Sequence, residues 1–251
     1  MIRPFIAGNW KMHKTIGEAV DFASRLRAIL TEPLDREVVI APPFTALRAV
    51  AGVLKDSGIH LGAQNLHEDA GGKGAYTGEI SAPMLGDAGC EYVIIGHSER
   101  RTLFGEKDEA INKKVRTALK FCLRPILCVG ENLNEREEGK TFAVVEKQMK
   151  EGLNSFTAGD IKKIVVAYEP LWAIGTGKTA TPEQAEEMHA FIRHMVEEEY
   201  GEDISCHLTI IYGGSVSPDN IRALMVKQDI NGTLVGGASL DVESFARMVK
   251  F

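Results

Sequence analysis

Apolar and polar positions fall in blocks along this chain rather than alternating residue by residue. Eight short apolar runs recur: PFIAGNW (4–10), EVVIAPP (37–43), IHLGAQN (59–65), EYVIIGHS (91–98), RPILCVG (124–130), KIVVAYEP (163–170), LTIIYGG (208–214) and GTLVGG (232–237). Most are rich in β-branched residues. A strand with one wet face reads apolar and polar by turns, so unbroken runs predict strands buried on both faces, as in a parallel sheet.

The segments between the runs carry helical spacing. IGEAVDFASRLRAIL (16–30) and DEAINKKVRTALKFC (108–122) set apolar residues three and four apart. PEQAEEMHAFIRHMVEEEY (182–200) follows Thr181 as N-cap, with Pro182 first in the helix and Gln184 three after the cap. SPDNIRALM (217–225) repeats the device with Ser217 and Pro218, and DVESFARMVK (241–250) supplies a further helix.

This βα alternation runs from end to end, at roughly thirty residues per unit, and predicts parallel strands with helical crossovers. About eight strands in roughly 250 residues is what a closed (β/α)8 barrel requires. The expected architecture is therefore an α/β TIM barrel, one domain over residues 1–251. An open doubly wound sheet is the competitor, but no G-x-G-x-x-G follows the first run.

Composition narrows the function. With 44% hydrophobic and 25% charged residues a packed soluble globule is the default. The net charge of −6 argues against a nucleic-acid partner or an anionic membrane surface, while leaving room for a small anionic substrate in a local field. The first residues, MIRPFIAGNW, lack the apolar run of a signal peptide, and no stretch approaches the ~20 apolar residues of a membrane span. Cys90, Cys122, Cys128 and Cys206 form no C-x-x-C pair and read as reduced thiols of a cytoplasmic protein. No carboxylate and histidine cluster has metal-ligand spacing, so neither metal nor cofactor is expected.

In a barrel, chemistry sits at the carboxyl ends of the strands. Those ends read Gly8-Asn9-Trp10-Lys11, Gly96-His97-Ser98-Glu99, Tyr168-Glu169-Pro170, Gly213-Gly214-Ser215 and Gly236-Gly237. A lysine, a histidine and a carboxylate thus converge on one rim beside two glycine-rich loops. Singly, each has a plain reading as a solvated charge, a structural imidazole or a turn. The glycines make sense together, because the loops after strands seven and eight of barrels often bind phosphate through backbone N–H groups. Gly236 and Gly237 would supply such donors and Ser215 a hydroxyl. Of the other histidines, His189 and His194 lie on a charged helix and are read as surface residues; His13, His60, His67 and His207 have no clear rim placement.

One stretch, EPLWAIGTGKT (169–179), ends like a nucleotide-binding P-loop. Aligning the second glycine of G-x-x-x-x-G-K-[ST] with Gly177 puts Trp172 where the first must be, and an indole there blocks close backbone approach. Gly175 would instead offer an N–H to phosphate from a mobile loop.

Taken in order, GNWKM, IIGHSERR, AYEPLWAIGTG, YGGSV and LVGGASL resemble the triosephosphate isomerase family over essentially the whole chain. The resemblance implies interconversion of dihydroxyacetone phosphate and D-glyceraldehyde 3-phosphate through an enediolate, in glycolysis and gluconeogenesis. Glu169 falls on the family's catalytic base and His97 on its electrophile. This family is itself the standard case of a histidine kept neutral by a helix N-terminus, which SERRTLF would form here. Lys11 suits the phosphate and the developing charge, and Asn9 can donate to a substrate oxygen.

The resemblance also makes 169–179 a lid of the kind that excludes water in this family. Pro170 begins one hinge, Leu171, Trp172, Ala173, Ile174, Gly175 and Thr176 cover the substrate, and Gly177-Lys178-Thr179 form the other hinge. The long segment 66–81 resembles the family's interdigitating loop and implies a homodimer. Thr77 of one subunit would reach toward Asn9 and His97 of the other, with Gln64, Asn65 and Arg100 at the interface. Glu99 would orient Lys11, and Cys128 would pack near the base without acting as a nucleophile. The rival readings are an aldolase-type lyase with Lys11 as a Schiff-base amine, and a barrel that binds phosphometabolites without turnover.

Overall fold

Each of the eight apolar runs forms a strand in the structure, a computed structural model that describes residues 2–31, 34–173 and 180–251. They are β1 (Phe5–Asn9), β2 (Glu37–Ala41), β3 (Ile59–Ala63), β4 (Tyr92–Ile95), β5 (Arg124–Val129), β6 (Val165–Tyr168), β7 (Thr209–Tyr212) and β8 (Gly232–Val235). Every strand pairs in parallel with the next, and β8 returns to β1 with Phe5 opposite Gly232, closing the barrel. A Cβ at position 232 would stand 1.9 Å from the carbonyl oxygen of Phe5, so the closing seam needs a glycine there.

Alternate residues face two cores, which is why no polar alternation appears. On β6, Val165 and Ala167 belong to the barrel interior, while Val166 and Tyr168 pack into the layer under the helices. On β4, Tyr92 and Ile94 point in, and Val93 and Ile95 out. Burying one such valine or isoleucine contributes ~1.5–3 kcal/mol, so both faces select apolar side chains. The amino end of the barrel is closed by polar groups: Arg124 Nη1 reaches Glu37 Oε1 at 2.6 Å, and the Tyr92 hydroxyl bonds both.

The helices follow the periodic segments with instructive exceptions. Pro182–Tyr200 starts where expected, with Thr181 Oγ1 accepting from Gln184 N–H and the Gln184 side chain returning to Thr181 N–H. The second helix of this type does not. Ser217 and Pro218 do not open it; residues 217–220 form a turn in which Asn220 Oδ1 accepts from Ser217 N–H, and the helix is Ile221–Met225. Asp108–Lys120 stops two residues short because Cys122 is left-handed, at φ 59°. Helices Leu47–Leu54, Ala82–Ala88 and Thr141–Gly152 are crossovers that the end-to-end alternation implies, in segments not singled out for helical spacing. Among the described residues, no helix is long and apolar enough to cross a membrane.

Candidate active site

The carboxyl rim is assembled from the backbone up. Just past β1, Lys11 adopts φ 51°, a conformation that costs a non-glycine residue about 1–3 kcal/mol unless its surroundings hold it. They do so here. Lys11 N–H donates to Asn9 Oδ1 at 3.0 Å, and Gln64 Nε2 donates to the carbonyls of Lys11 and Ala41, each at 2.8 Å. The Lys11 ammonium meets Glu99 Oε1 at 2.6 Å.

After β4, Gly96 turns the chain at φ 70° and His97 caps the short helix Ser98–Leu103. Its Nδ1 accepts the Glu99 N–H at 3.2 Å. Its Nε2 lies 3.0 Å from Glu169 Oε1, and the other carboxylate oxygen accepts Ser98 N–H at 2.8 Å. Glu169 follows β6, is only 2% exposed, and donates its own N–H to Val129 O at 2.7 Å. Two glycines make room for it. A Cβ at Gly130 would sit 1.8 Å from Glu169 O, and one at Gly213 would sit 2.8 Å from Glu169 Cγ.

The electrostatics follow from burial and pairing. Burial pushes the Glu169 carboxyl up, but the His97 ring, the Ser98 N–H and Lys11 outweigh it and hold the group below its ordinary value. At His97 burial disfavours the cation while the Glu169 carboxylate favours it, and the carboxylate prevails. That upward direction conflicts with Nδ1 acting as acceptor of a backbone N–H, which leaves Nε2 as the only site for a proton. Geometry decides in favour of the neutral Nε2–H ring, because a second proton on Nδ1 would face the Glu99 N–H and the positive helix terminus. Cys128 lies fully buried inside the barrel; burial first, then the Glu169 charge, holds its thiol well above the ordinary range.

Gly236 comes next to the lysine: a Cβ there would lie 3.5 Å from Lys11 Cε. Gly237 opens the one-turn helix Gly237–Leu240, with nothing within 4 Å of its missing Cβ. Ser215 is exposed in the loop after β7, where its carbonyl accepts from Asn220 Nδ2 at 3.1 Å. Of the lid, Pro170 to Ala173 are described and packed: Leu171–Ala173 form a single 3-10 turn with Trp172 and Ala173 buried. Ile174, Gly175, Thr176, Gly177 and Lys178 lie outside the described residues.

Of the remaining sequence-predicted residues, Asn65 and Arg100 have side-chain partners inside the chain. Asn65 Oδ1 accepts from Lys114 Nζ at 2.8 Å, and Arg100 Nε donates to Glu106 Oε1 at 2.6 Å; Lys114 also pairs with Glu106, so one charge cluster joins them. Thr77 stands exposed in the segment between β3 and Ala82–Ala88.

His189 corrects the sequence reading. It is not a surface residue but fully buried, 0% exposed, beneath Tyr168 and Tyr212. Its helix is acidic only on the outer face, and position 189 shares the inner face with Ala185, Met188 and Ile192. The neighbour His194 is exposed, as expected.

Sequence reasoning missed Glu131. Its fully buried carboxylate accepts from Trp172 Nε1 at 2.8 Å and from the Tyr168 hydroxyl at 3.2 and 3.1 Å, and pairs with Arg136 at 3.3 Å. A glutamate two residues past a strand end was the available signal. Among the described residues, no group of three or more His, Cys, Asp and Glu side chains could hold a metal.

A parallel eight-stranded barrel bearing a buried carboxylate–imidazole pair and a lysine on its carboxyl rim defines the class of barrel enzymes that work by proton transfer. The relatives narrow the class. The family model described as triosephosphate isomerase matches residues 4–251. The chain is 53% identical over 251 residues to the triosephosphate isomerase of Endomicrobium trichonymphae, with 100% of this chain and 99% of that protein covered. It is 54% identical to that of Caldanaerobacter subterraneus subsp. tengcongensis, with both chains fully covered, and 55% to that of Moorella thermoacetica, covering 100% and 99%. The chain belongs to the triosephosphate isomerase family.

Proposed function

We propose that this chain interconverts dihydroxyacetone phosphate and D-glyceraldehyde 3-phosphate, with Glu169 as the base that carries a proton between the two carbons. The supporting observation is the carboxylate itself. It is buried, ionised and held by His97 and Ser98 in a rim that Lys11 and Gly236 also line. His97, as the Nε2–H ring, donates to the substrate oxygens once Glu169 turns toward carbon. Lys11 balances the phosphate and the enediolate charge, and Asn9, already fixed against the Lys11 N–H, orients its amide on the same rim.

Gly236, Gly237 and Ser215 hold the phosphate together with Gly175, and residues 170–178 close over it. Closure keeps water from an enediolate that would otherwise expel phosphate. The reaction needs no metal or cofactor. A lyase with a Lys11 Schiff base is disfavoured by the 2.6 Å contact that commits the ammonium to Glu99.

The protein works as a homodimer in the cytoplasm. Most exposed large apolar side chains among the described residues, namely Met12, Ile16, Phe44, Tyr76, Met84, Leu103 and Phe104, come from the segments after β1, β2, β3 and β4, while Leu133, Phe142 and Val226 lie elsewhere. That half of the rim is where Thr77 projects, so a second copy would cover it. Gln64, Asn65 and Arg100 brace the same face.

The test is turnover of D-glyceraldehyde 3-phosphate, followed as dihydroxyacetone phosphate in a coupled hydride assay. Rapid turnover, with kcat lowered roughly 10²–10⁴-fold by Glu169→Gln, is the expected result. A folded wild type without turnover would overturn the reading.

A further inference from the structure

The paired ladder between β4 and β5 ends at Ile95 opposite Leu127. One residue on, the left-handed turn at Gly96 takes the chain away from the sheet toward His97. Two carbonyls, those of Gly96 and Cys128, are thereby left beyond the ladder. Arg101 answers both. From the helix Ser98–Leu103 its Nε donates to Gly96 O at 2.8 Å and its Nη2 to Cys128 O at 3.0 Å, while Nη1 is anchored on Asp108 Oδ1 at 2.6 Å. The guanidinium and the Asp108 carboxylate are each only 13% exposed.

The two strand ends bridged in this way carry the two halves of the reaction pair. Gly96 directly precedes His97. Cys128 precedes Val129, whose carbonyl accepts the Glu169 N–H, and Gly130 lies so close to Glu169 that a Cβ there would collide with the Glu169 backbone. The fit is close, since a Cβ at Gly96 would stand 3.2 Å from Arg101 Nη2. A planar fork with donors on separate edges can span both carbonyls, whereas a lysine ammonium is a point donor that cannot.

We propose that Arg101 is a positioning residue for the isomerisation: its fork replaces the missing ladder rungs and sets the His97 ring against the substrate and Glu169. This deepens the proposed isomerase reading and rests on it. Reacting groups displaced by about 1 Å can cost ~10²-fold in rate, so the geometry of two carbonyls is enough to matter.

The test compares Arg101→Lys and Arg101→Gln with Asp108→Asn, which keeps the fork and loses only the anchor. Each is measured for kcat, KM, thermal midpoint and the ¹⁵N resonances of the His97 ring. The proposal expects kcat to fall ~100-fold in Arg101→Lys with KM within about twofold, and the Nε2 resonance to shift. Asp108→Asn should lower the thermal midpoint but lose less than about tenfold in kcat.

Unchanged kcat in a folded Arg101→Lys would overturn the proposal. So would an equal kcat loss in Asp108→Asn, which would assign the effect to helix docking. Loss of the fold in both Arg101 variants would assign the residue to stability alone and overturn it as well. A wild type without isomerase activity would instead sink the parent reading.

Discussion

His97 Nε2 stands 3.0 Å from Glu169 Oε1, while Nδ1 of the same ring receives the Glu99 N–H at 3.2 Å. In the mechanism proposed above, the carboxylate rests on the atom that donates to substrate and leaves it to reach carbon. The contact helps keep this buried carboxyl ionised.

Burial pushes the Glu169 carboxyl up, and replacing His97 by Ala removes the Nε2–H hydrogen bond that opposes it, so the carboxyl should rise. Because the free enzyme needs the carboxylate, the acid limb of kcat/KM should move to higher pH in the variant, on top of a lower plateau. Profiles of both proteins from about pH 4 to about pH 8 would show it. An acid limb at the same pH in both would mean that His97 does not hold the base down.

Gly213→Ala tests the space around the base. The added carbon would meet Glu169 Cγ at 2.8 Å and the Tyr168 carbonyl at 3.2 Å, so the glutamate side chain must shift. Displacement of this size should lower kcat by about 10–10²-fold, with the substrate affinity of the phosphate loops little changed. A kcat within about twofold of wild type would show that Glu169 accommodates the methyl in its working position.

The barrel was legible in the sequence because both strand faces are buried, which writes every strand as an apolar run. The rim residues Asn9, Lys11, His97 and Glu169 were legible because strand ends locate themselves once the strands are known. Support was harder to read. Arg101 and Glu131 act through carbonyls and ring donors brought in from other strands, and no local pattern announces such contacts. His189 was misread because the charges of its helix, Glu183, Glu186, Glu187 and Glu197 to Glu199, hide an inward stripe of Ala185, Met188, His189 and Ile192. The helix at Ile221 begins late because the Asn220 side chain accepts from Ser217 N–H and donates to Ser215 O, which holds residues 217–220 in a local turn.

Glu131→Gln tests the anchor beneath the first lid hinge. The amide oxygen can still accept from Trp172 Nε1, but Arg136, stacked 4.3 Å from the Trp172 ring, loses its buried counter-charge. A loss of about 1–3 kcal/mol in unfolding free energy is expected, read from the urea midpoint at constant slope. A midpoint equal to wild type would show that the carboxylate charge contributes nothing there.

His189 makes stability fall in mild acid. The ring is fully buried, its Nδ1 donates to Asp229 O at 3.3 Å, and Nε2 has no hydrogen-bond partner among the described residues. Burial, aided by Arg193, pushes the group down to about 3. In the unfolded chain the same group titrates near ~6.5, so between about 6.5 and 3 the unfolded state binds the extra proton. The sign is then fixed: the contribution is complete above about pH 6.5 and is lost as pH falls, at ~1.4 kcal/mol per pH unit. Taking the protein from about pH 7 to about pH 5 should cost ~2 kcal/mol through this residue, measured by urea unfolding at one protein concentration. In His189→Gln, whose amide can still donate to Asp229 O, the same pH change should cost correspondingly less. An identical acid loss in both proteins would place the sensitivity in the carboxylates and not in this ring.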